Sequence, residues 1–205
     1  MNMKKTSLVA IFIFSVIIAT AQDYTKLTAA FSESYVKEKS GKYAEATTAL
    51  KAYYDANSYE INLRLGWLTY LQGQFSESLG YYNKAIELMP YAIEPRLGVV
   101  LPASSLGNWD LVMAQYSKIL AIDPNNTVTL YRSGLISYDK KDYTQAYQLF
   151  EKIVNLYPFD YQSVLMLAWT NLKLGKTREA KILFNKALLY SPEDASAKEG
   201  LSLIK

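Results

Sequence analysis

The sequence predicts an all-α protein, a solenoid in which a helix–turn–helix unit is repeated, and three observations support this fold class. Short turn motifs recur at spacings of 32, 34, 34 and 34 residues, and they begin at Gly41, Gly73, Gly107, Lys141 and Gly175. A proline follows 17 residues after each of the last four motifs, at Pro90, Pro124, Pro158 and Pro192. Between these marks, apolar residues recur at three- and four-residue steps, which is the periodicity of a helix face. A fixed period of this length is typical of repeat architectures.

The first element along the chain is a predicted secretory signal peptide, residues 1–21. Lys4 and Lys5 precede an apolar run at residues 8–19, and residues 19–21 (Ala-Thr-Ala) give the small–x–small pattern of a cleavage site. The run is shorter than the ~20 residues that span a bilayer as a helix. We therefore expect cleavage after Ala21, no stable membrane span afterwards, and a periplasmic or cell-envelope location in a bacterium.

The repeats that follow are expected to contain a first helix, a tight turn and a second helix. In residues 59–92, Leu65 and Trp67 precede the turn at Gly73, and Tyr82 and Ala85 follow it. Glycine suits the positive φ that commonly ends a helix. Proline after the second helix cannot continue that helix.

These repeats resemble the tetratricopeptide repeat family. Repeat two matches the family pattern at Leu65, Gly66, Tyr70, Gly73, Phe75, Tyr82, Ala85 and Pro90. The resemblance implies a right-handed superhelical solenoid with repeats at 27–58, 59–92, 93–126, 127–160 and 161–194, of which the first is two residues short and has Ser58 where proline is expected. Residues 195–205 are expected to form a capping helix, because the open end of a solenoid needs a cover.

Two groups of residues that match the family pattern are expected to have packing roles. Small residues at Gly66, Gly134 and Ala168 are expected to let the two helices of a repeat approach closely. Aromatic residues are expected to fill the space between repeats, at Tyr82, Tyr116, Phe150 and Phe184.

The resemblance also implies that the first helices line a concave groove that binds a protein or peptide partner. The family's groove positions are the second, fifth, ninth, twelfth and thirteenth of each repeat. Carried onto this chain, they give the candidate site Phe31, Tyr35, Leu63, Trp67, Tyr70, Leu97, Leu101, Tyr131, Leu135, Tyr138, Leu165, Trp169 and Leu172, together with Leu71, Asp139 and Lys173. An exposed apolar stripe usually marks an interaction site. The alternative for any one of these side chains is packing between neighbouring first helices.

Two further expectations concern what the groove binds. Family members that bind acidic C-terminal tails use Lys, Asn and Arg on these positions, and only Arg64 and Arg132 are similar to that clamp, so capture of a carboxylate tail is not expected. Pro102 is predicted to kink the first helix of repeat three near residues 98–102, because it cannot donate to the Gly98 carbonyl. The kink is either a local bend absorbed by packing or a feature that shapes the groove.

The amino-acid composition excludes several classes of function. The 205 residues include no His and no Cys, which excludes disulfides, thiolate nucleophiles, Cys/His zinc sites and imidazole catalysis. The net charge of +3, which falls to +1 without residues 1–21, is too small to indicate a nucleic-acid surface. We expect a non-catalytic interaction scaffold or adaptor without metal or cofactor, and leave self-association open. The alternative is a carbohydrate or cell-wall-fragment binder that uses the same aromatic residues.

Overall fold

The computed structural model describes residues 24–204, and within that range the chain forms eleven α-helices and no strand. The helices are α1 (24–39), α2 (Tyr43–Lys51), α3 (Tyr59–Leu71), α4 (Phe75–Leu88), α5 (Glu94–Ser105), α6 (Trp109–Ile122), α7 (Thr127–Asp139), α8 (Tyr143–Leu156), α9 (Tyr161–Lys173), α10 (Thr177–Tyr190) and α11 (Ala195–Ser202). The predicted all-α, helix–turn–helix fold class is therefore confirmed. The predicted signal peptide lies outside the described residues.

Each pair of helices is joined by a tight turn at one of the recurring motifs. Gly73 follows α3 with φ of 75°, a conformation in which a side chain is disfavoured. The fourth turn uses Lys141 instead, at φ of 63°. The turns therefore keep one backbone shape, and four of the five use the residue that adopts it most easily.

Four helices, α3, α7, α9 and α11, begin at side-chain caps that come from the segment before the helix, whereas α5 begins at Ile93 without one. Ser58 accepts a hydrogen bond from the Ile61 N–H, and Asn126, Asp160 and Asp194 each accept from the N–H three residues on. Such a cap contributes about 1 kcal/mol because it pairs a free N–H at the start of the helix. Ser58, which departs from the expected proline, is thus the cap of α3.

Large side chains from the second helices fill the core against small residues on the first helices. The Tyr82 ring packs against Gly66 of α3 and Gly98 of α5 so closely that an added Cβ at either glycine would overlap the ring. Phe150 packs in the same way against Gly134. The predicted interior aromatics are all buried: Tyr82, Tyr116, Phe150 and Phe184.

Two compact units divide the chain within α6, the first ending at Val112 and the second beginning at Met113. In the first unit, α5 continues through the buried Pro102, so this proline does not end the helix; the kink stays a prediction. In the second unit, α11 packs on α9 and α10, in the segment predicted to form the cap. No helix among residues 24–204 is both long enough and apolar enough to cross a membrane.

Candidate partner-binding surface

The first unit carries an open cavity of about 410 Å³, here called the Trp67 cavity. It is lined by Phe31, Tyr35, Tyr59, Glu60, Leu63, Arg64, Trp67 and Glu94, which come from α1, α3 and the start of α5. Four of these residues belong to the candidate site named from sequence: Phe31, Tyr35, Leu63 and Trp67. The cavity combines an apolar, aromatic wall with charged groups.

Arg64 is held inside this wall by neighbours on α1. Only 8% of its surface is exposed. Its Nη2 lies 2.5 Å from Glu38 Oε2, in an ion pair rather than an aligned hydrogen bond, and its Nε donates to Ser34 Oγ at 3.1 Å. The guanidinium also lies 3.9 Å from the centre of the Tyr35 ring. The charge of Arg64 is therefore neutralised within the protein.

Trp67 is fixed by the same carboxylate. Its indole N–H donates to Glu38 Oε1 at 2.6 Å, so one carboxylate contacts both Arg64 and Trp67. The indole is also 5.7 Å, centre to centre, from the Tyr70 ring. Because these contacts hold the indole in one position, its exposed part forms a rigid side of the cavity.

The cavity also carries two negative charges, the exposed carboxylates of Glu60 and Glu94. Glu60 Oε2 accepts from Ser58 Oγ at 3.2 Å, and Glu94 Oε2 accepts from the Tyr59 hydroxyl at 3.4 Å. Burial, followed by the charge of Glu94 and this hydrogen bond, raises the pKa of Tyr59 to about 12. Tyr59 is therefore a neutral donor at ordinary pH.

A second open cavity, of about 660 Å³, occupies the second unit and is here called the Arg132 cavity. Its lining is Thr127, Val128, Tyr131, Arg132, Ile153, Tyr157, Asp160, Gln162 and Ser163. Five positions in the predicted repeats correspond between the cavities: Thr127 to Tyr59, Val128 to Glu60, Tyr131 to Leu63, Arg132 to Arg64, and Gln162 to Glu94. The two units thus present related cavities that share an arginine and differ at the other four positions.

Tyr131 forms the aromatic part of the Arg132 cavity and is one of the residues predicted from sequence. Its ring meets the Phe150 ring edge-on, with centres 5.7 Å apart. Burial raises the pKa of Tyr131, the nearby Asp160 carboxylate adds to the increase, and Arg132 opposes it. Unlike Arg64, the Arg132 side chain is exposed.

The other eleven candidate residues line neither cavity. Trp169 is half-buried, meets Phe184 edge-on at 5.1 Å, and donates its indole N–H to Ser196 Oγ of α11 at 2.9 Å. Leu101, Asp139 and Lys173 are exposed, and the rest are half-buried: Tyr70, Leu71, Leu97, Leu135, Tyr138, Leu165 and Leu172. Several of these pack against the core of the second unit, namely Leu135, Tyr138, Leu165, Trp169 and Leu172. A role for any of them in binding stays a prediction.

The candidate site taken from sequence omits the charged groups of the Trp67 cavity and the residue that positions Trp67. Glu60 and Glu94 occupy the second position of repeats two and three, which is one of the family's groove positions, so that register contained the signal that identifies them. Glu38 occupies the twelfth position of repeat one, which is also a groove position, but the candidate site did not include it. Its contact with Arg64 and Trp67 becomes evident only in three dimensions.

These elements define an all-α protein of paired helices that carries open cavities on its first helices. Two family models described as tetratricopeptide repeat match residues 32–93 and 137–204. The chain therefore belongs to the tetratricopeptide repeat family, as the resemblance implied, and the bounds of the five repeats stay a prediction.

Two curated proteins of Arabidopsis thaliana are similar to parts of the chain. Protein CTR9 homolog is 29% identical over 105 residues, which is 50% of this chain and 10% of that protein. Anaphase-promoting complex subunit 6 is 26% identical over 136 residues, which is 64% of this chain and 25% of that protein. The matches thus span a tenth and a quarter of those longer proteins.

Solved structures match a larger share of the chain. A tetratricopeptide repeat protein from Parabacteroides merdae ATCC 43184 is similar with a TM-score of 0.73 and 23% identity, covering 88% of this chain and 72% of that one. The structure of MamA 41-end from Desulfovibrio magneticus RS-1 gives a TM-score of 0.67 and 18% identity, covering 83% and 98%. At these identities the likeness establishes the fold alone.

Proposed function

We propose that the protein is a non-catalytic scaffold or adaptor that binds an extended segment of a partner protein at the Trp67 cavity. One observation carries the proposal: Phe31 and Tyr35 of α1 and Leu63 and Trp67 of α3 surround one open cavity. The family supports it at a coarser level, since tetratricopeptide repeat domains bind protein partners.

The physical basis of binding is burial of apolar side chains against a surface that is already ordered. Hydrogen bonding to Glu38 holds Trp67, and packing against the core holds Phe31. A preorganised surface binds more tightly because less side-chain freedom is lost on association. Tyr35, which is 54% exposed, offers its ring to a partner without rearrangement.

Trp67→Ala should abolish partner capture, and Trp109→Ala is the matched control. Trp109 is 46% exposed and lies at the start of α6, away from the lining of the cavity. The measurement is a quantitative pulldown from a cell-envelope extract, combined with photo-crosslinking from a benzoylphenylalanine that replaces Tyr35. We expect crosslinked partners with the wild type and with Trp109→Ala, and none with Trp67→Ala. Equal recovery of the same partners by all three proteins would remove the Trp67 cavity as the binding site.

We also propose that the protein works in the bacterial cell envelope after cleavage behind Ala21. The basic residues and the apolar run of residues 1–21 support this location. N-terminal sequencing of the protein purified from its own cells should begin at Gln22. A protein that begins at Met1 and is found in the cytoplasmic fraction would contradict export. The binding proposal would be unaffected, because the Trp67→Ala experiment tests it separately.

Carbohydrate binding at the same aromatic residues stays the alternative prediction. Glycan-array binding by the wild type that is lost in Trp67→Ala and retained in Trp109→Ala would favour this alternative over a protein partner.

A further inference from the structure

We propose that the Trp67 cavity selects a partner segment that carries a lysine or arginine beside an apolar residue. This specificity rests on the proposed function, because it concerns the same cavity and the same bound segment. Three features of the cavity carry it: the neutralised Arg64, the two exposed carboxylates and the aromatic wall.

The first feature is that Arg64, the one cationic side chain in the lining, is already paired with groups of the protein itself. Its guanidinium contacts Glu38 and Tyr35, and its Nε donates to Ser34. A partner carboxylate would have to displace Glu38 from an arginine whose side chain is only 8% exposed. Breaking such an ion pair is costly because the remaining charge stays desolvated. The cavity is therefore poorly suited to an acidic ligand.

The second feature is the pair of carboxylates at the mouth, Glu60 and Glu94. Both are exposed, and the hydroxyls that donate to them, on Ser58 and Tyr59, are neutral groups that leave each carboxylate its full negative charge. Because Glu38 neutralises Arg64, these two carboxylates make the net charge of the cavity negative. Complementary charge in a partner orients it and speeds its encounter.

The third feature is the aromatic wall beside the carboxylates. A cation is attracted to the face of an aromatic ring, and an arginine or lysine can lay its aliphatic stem along apolar surface while its charge stays near a carboxylate. The ring of Tyr35 already accepts a guanidinium on one face, at 3.9 Å. Trp67 and Leu63 supply the adjoining surface for an apolar neighbour of the basic residue.

The Arg132 cavity indicates that this charge pattern is particular to the first unit. At the positions of Glu60 and Glu94 it has Val128 and Gln162, and its arginine is exposed. The fold therefore does not require acidic residues at these positions.

The test is selection of peptides from a random phage-displayed library on three purified proteins: the wild type, Glu60→Gln/Glu94→Gln and Trp67→Ala. A charge-matched control, Glu193→Gln/Glu199→Gln, removes two exposed carboxylates from the second unit. A selected peptide is then measured by titration calorimetry beside a copy in which glutamine replaces its basic residue.

We expect wild-type selections to be enriched in sequences with Lys or Arg next to an apolar residue. The preference should persist in the control and disappear in Glu60→Gln/Glu94→Gln, with about a tenfold loss of affinity for the basic peptide, equivalent to ~1.4 kcal/mol. The glutamine peptide should bind both proteins equally. Raising the salt concentration should weaken the binding of the basic peptide and leave that of the glutamine peptide unchanged, because salt screens exposed charges.

The outcomes separate this inference from the proposed function. Apolar or acidic peptides whose binding requires Trp67 but not the two carboxylates would overturn the basic specificity and leave the Trp67 cavity as the binding site. Selections that are identical for the wild type and Trp67→Ala, or that yield no enriched peptide, would overturn both.

Discussion

The Trp67 cavity and the Arg132 cavity are built at matching repeat positions, yet their charged groups are arranged differently. In the first unit the arginine is buried against Glu38, and the mouth holds Glu60 and Glu94. In the second unit the arginine is exposed, and Val128 and Gln162 take the places of the carboxylates. The repeat thus determines where a cavity forms, while side chains that differ from repeat to repeat, such as Glu38, determine its charge.

The largest expected effect concerns the core beneath the Arg132 cavity. Phe150→Ala should lower the free energy of unfolding by about 3–5 kcal/mol, because the ring is fully buried against Gly134 and supports Tyr131. Urea denaturation followed by circular dichroism measures this change. The exposed Gln148→Ala on the same helix should change stability by no more than about 0.5 kcal/mol. Similar values for both variants would contradict the packing described for α8.

The next effect tests the difference between the two arginines. Glu38→Gln should destabilise the protein by about 2–3 kcal/mol, because it leaves a buried guanidinium without its counter-charge. Arg132→Gln, at the matching position, should change stability by no more than about 0.5 kcal/mol because its side chain is exposed. Equal costs in urea denaturation would mean that the two arginines are in equivalent environments, and the comparison would fail.

A smaller effect is expected where Tyr82 packs beneath the Trp67 cavity. Gly98→Ala should destabilise the protein by about 1–3 kcal/mol, because the added methyl group overlaps the ring. Gly80→Ala is the matched control: its Cβ meets no atom within 4 Å in α4, and it should stabilise the helix by about 0.5–1 kcal/mol. Thermal melts of both variants check the opposite signs. Stabilisation by Gly98→Ala would mean that the ring is not confined.

The smallest effect is expected in the alkaline titration of Tyr59. The corresponding position in the Arg132 cavity is Thr127, which does not titrate. The pKa of Tyr59 is raised above its ordinary value of 10 to about 12. The folded state therefore holds this proton more firmly, so the stabilisation is present below pH 10 and is lost as pH rises through about 12. The phenolate absorbance of the wild type minus that of Tyr59→Phe should have its midpoint near pH 12. A midpoint near pH 10 would mean that the Tyr59 phenol is exposed to water, which would contradict its burial in the cavity.

Much of the fold could be predicted because local and long-range signals coincide in repeats. The 34-residue period, the turns and the proline-containing exits from second helices predicted the helix pairs, since each unit buries its apolar face only against its neighbours. The positive φ at Gly73 and the burial of Tyr82 followed from the same pattern. Lys141 adopts the turn conformation without glycine because the flanking helices impose it.

The site could be predicted only in part. Phe31, Tyr35, Leu63 and Trp67 were found because the family register places them on first helices. Register alone did not predict that Arg64 is buried, because that depends on Glu38 in another helix. It also did not separate Trp67, which lines a cavity, from Trp169, which lines neither cavity and packs against the core of the second unit.

The central claim, that partners bind at the Trp67 cavity, is tested most directly by the three tryptophan indole N–H resonances in an NMR titration. Each resonance is assigned with a single Trp→Phe variant at Trp67, Trp109 or Trp169, and a peptide selected on the wild-type protein is then added. We expect the Trp67 resonance to shift with the affinity measured by calorimetry, while those of Trp109 and Trp169 stay in place. Saturating binding that moves the Trp169 resonance and leaves the Trp67 resonance unchanged would contradict the claim.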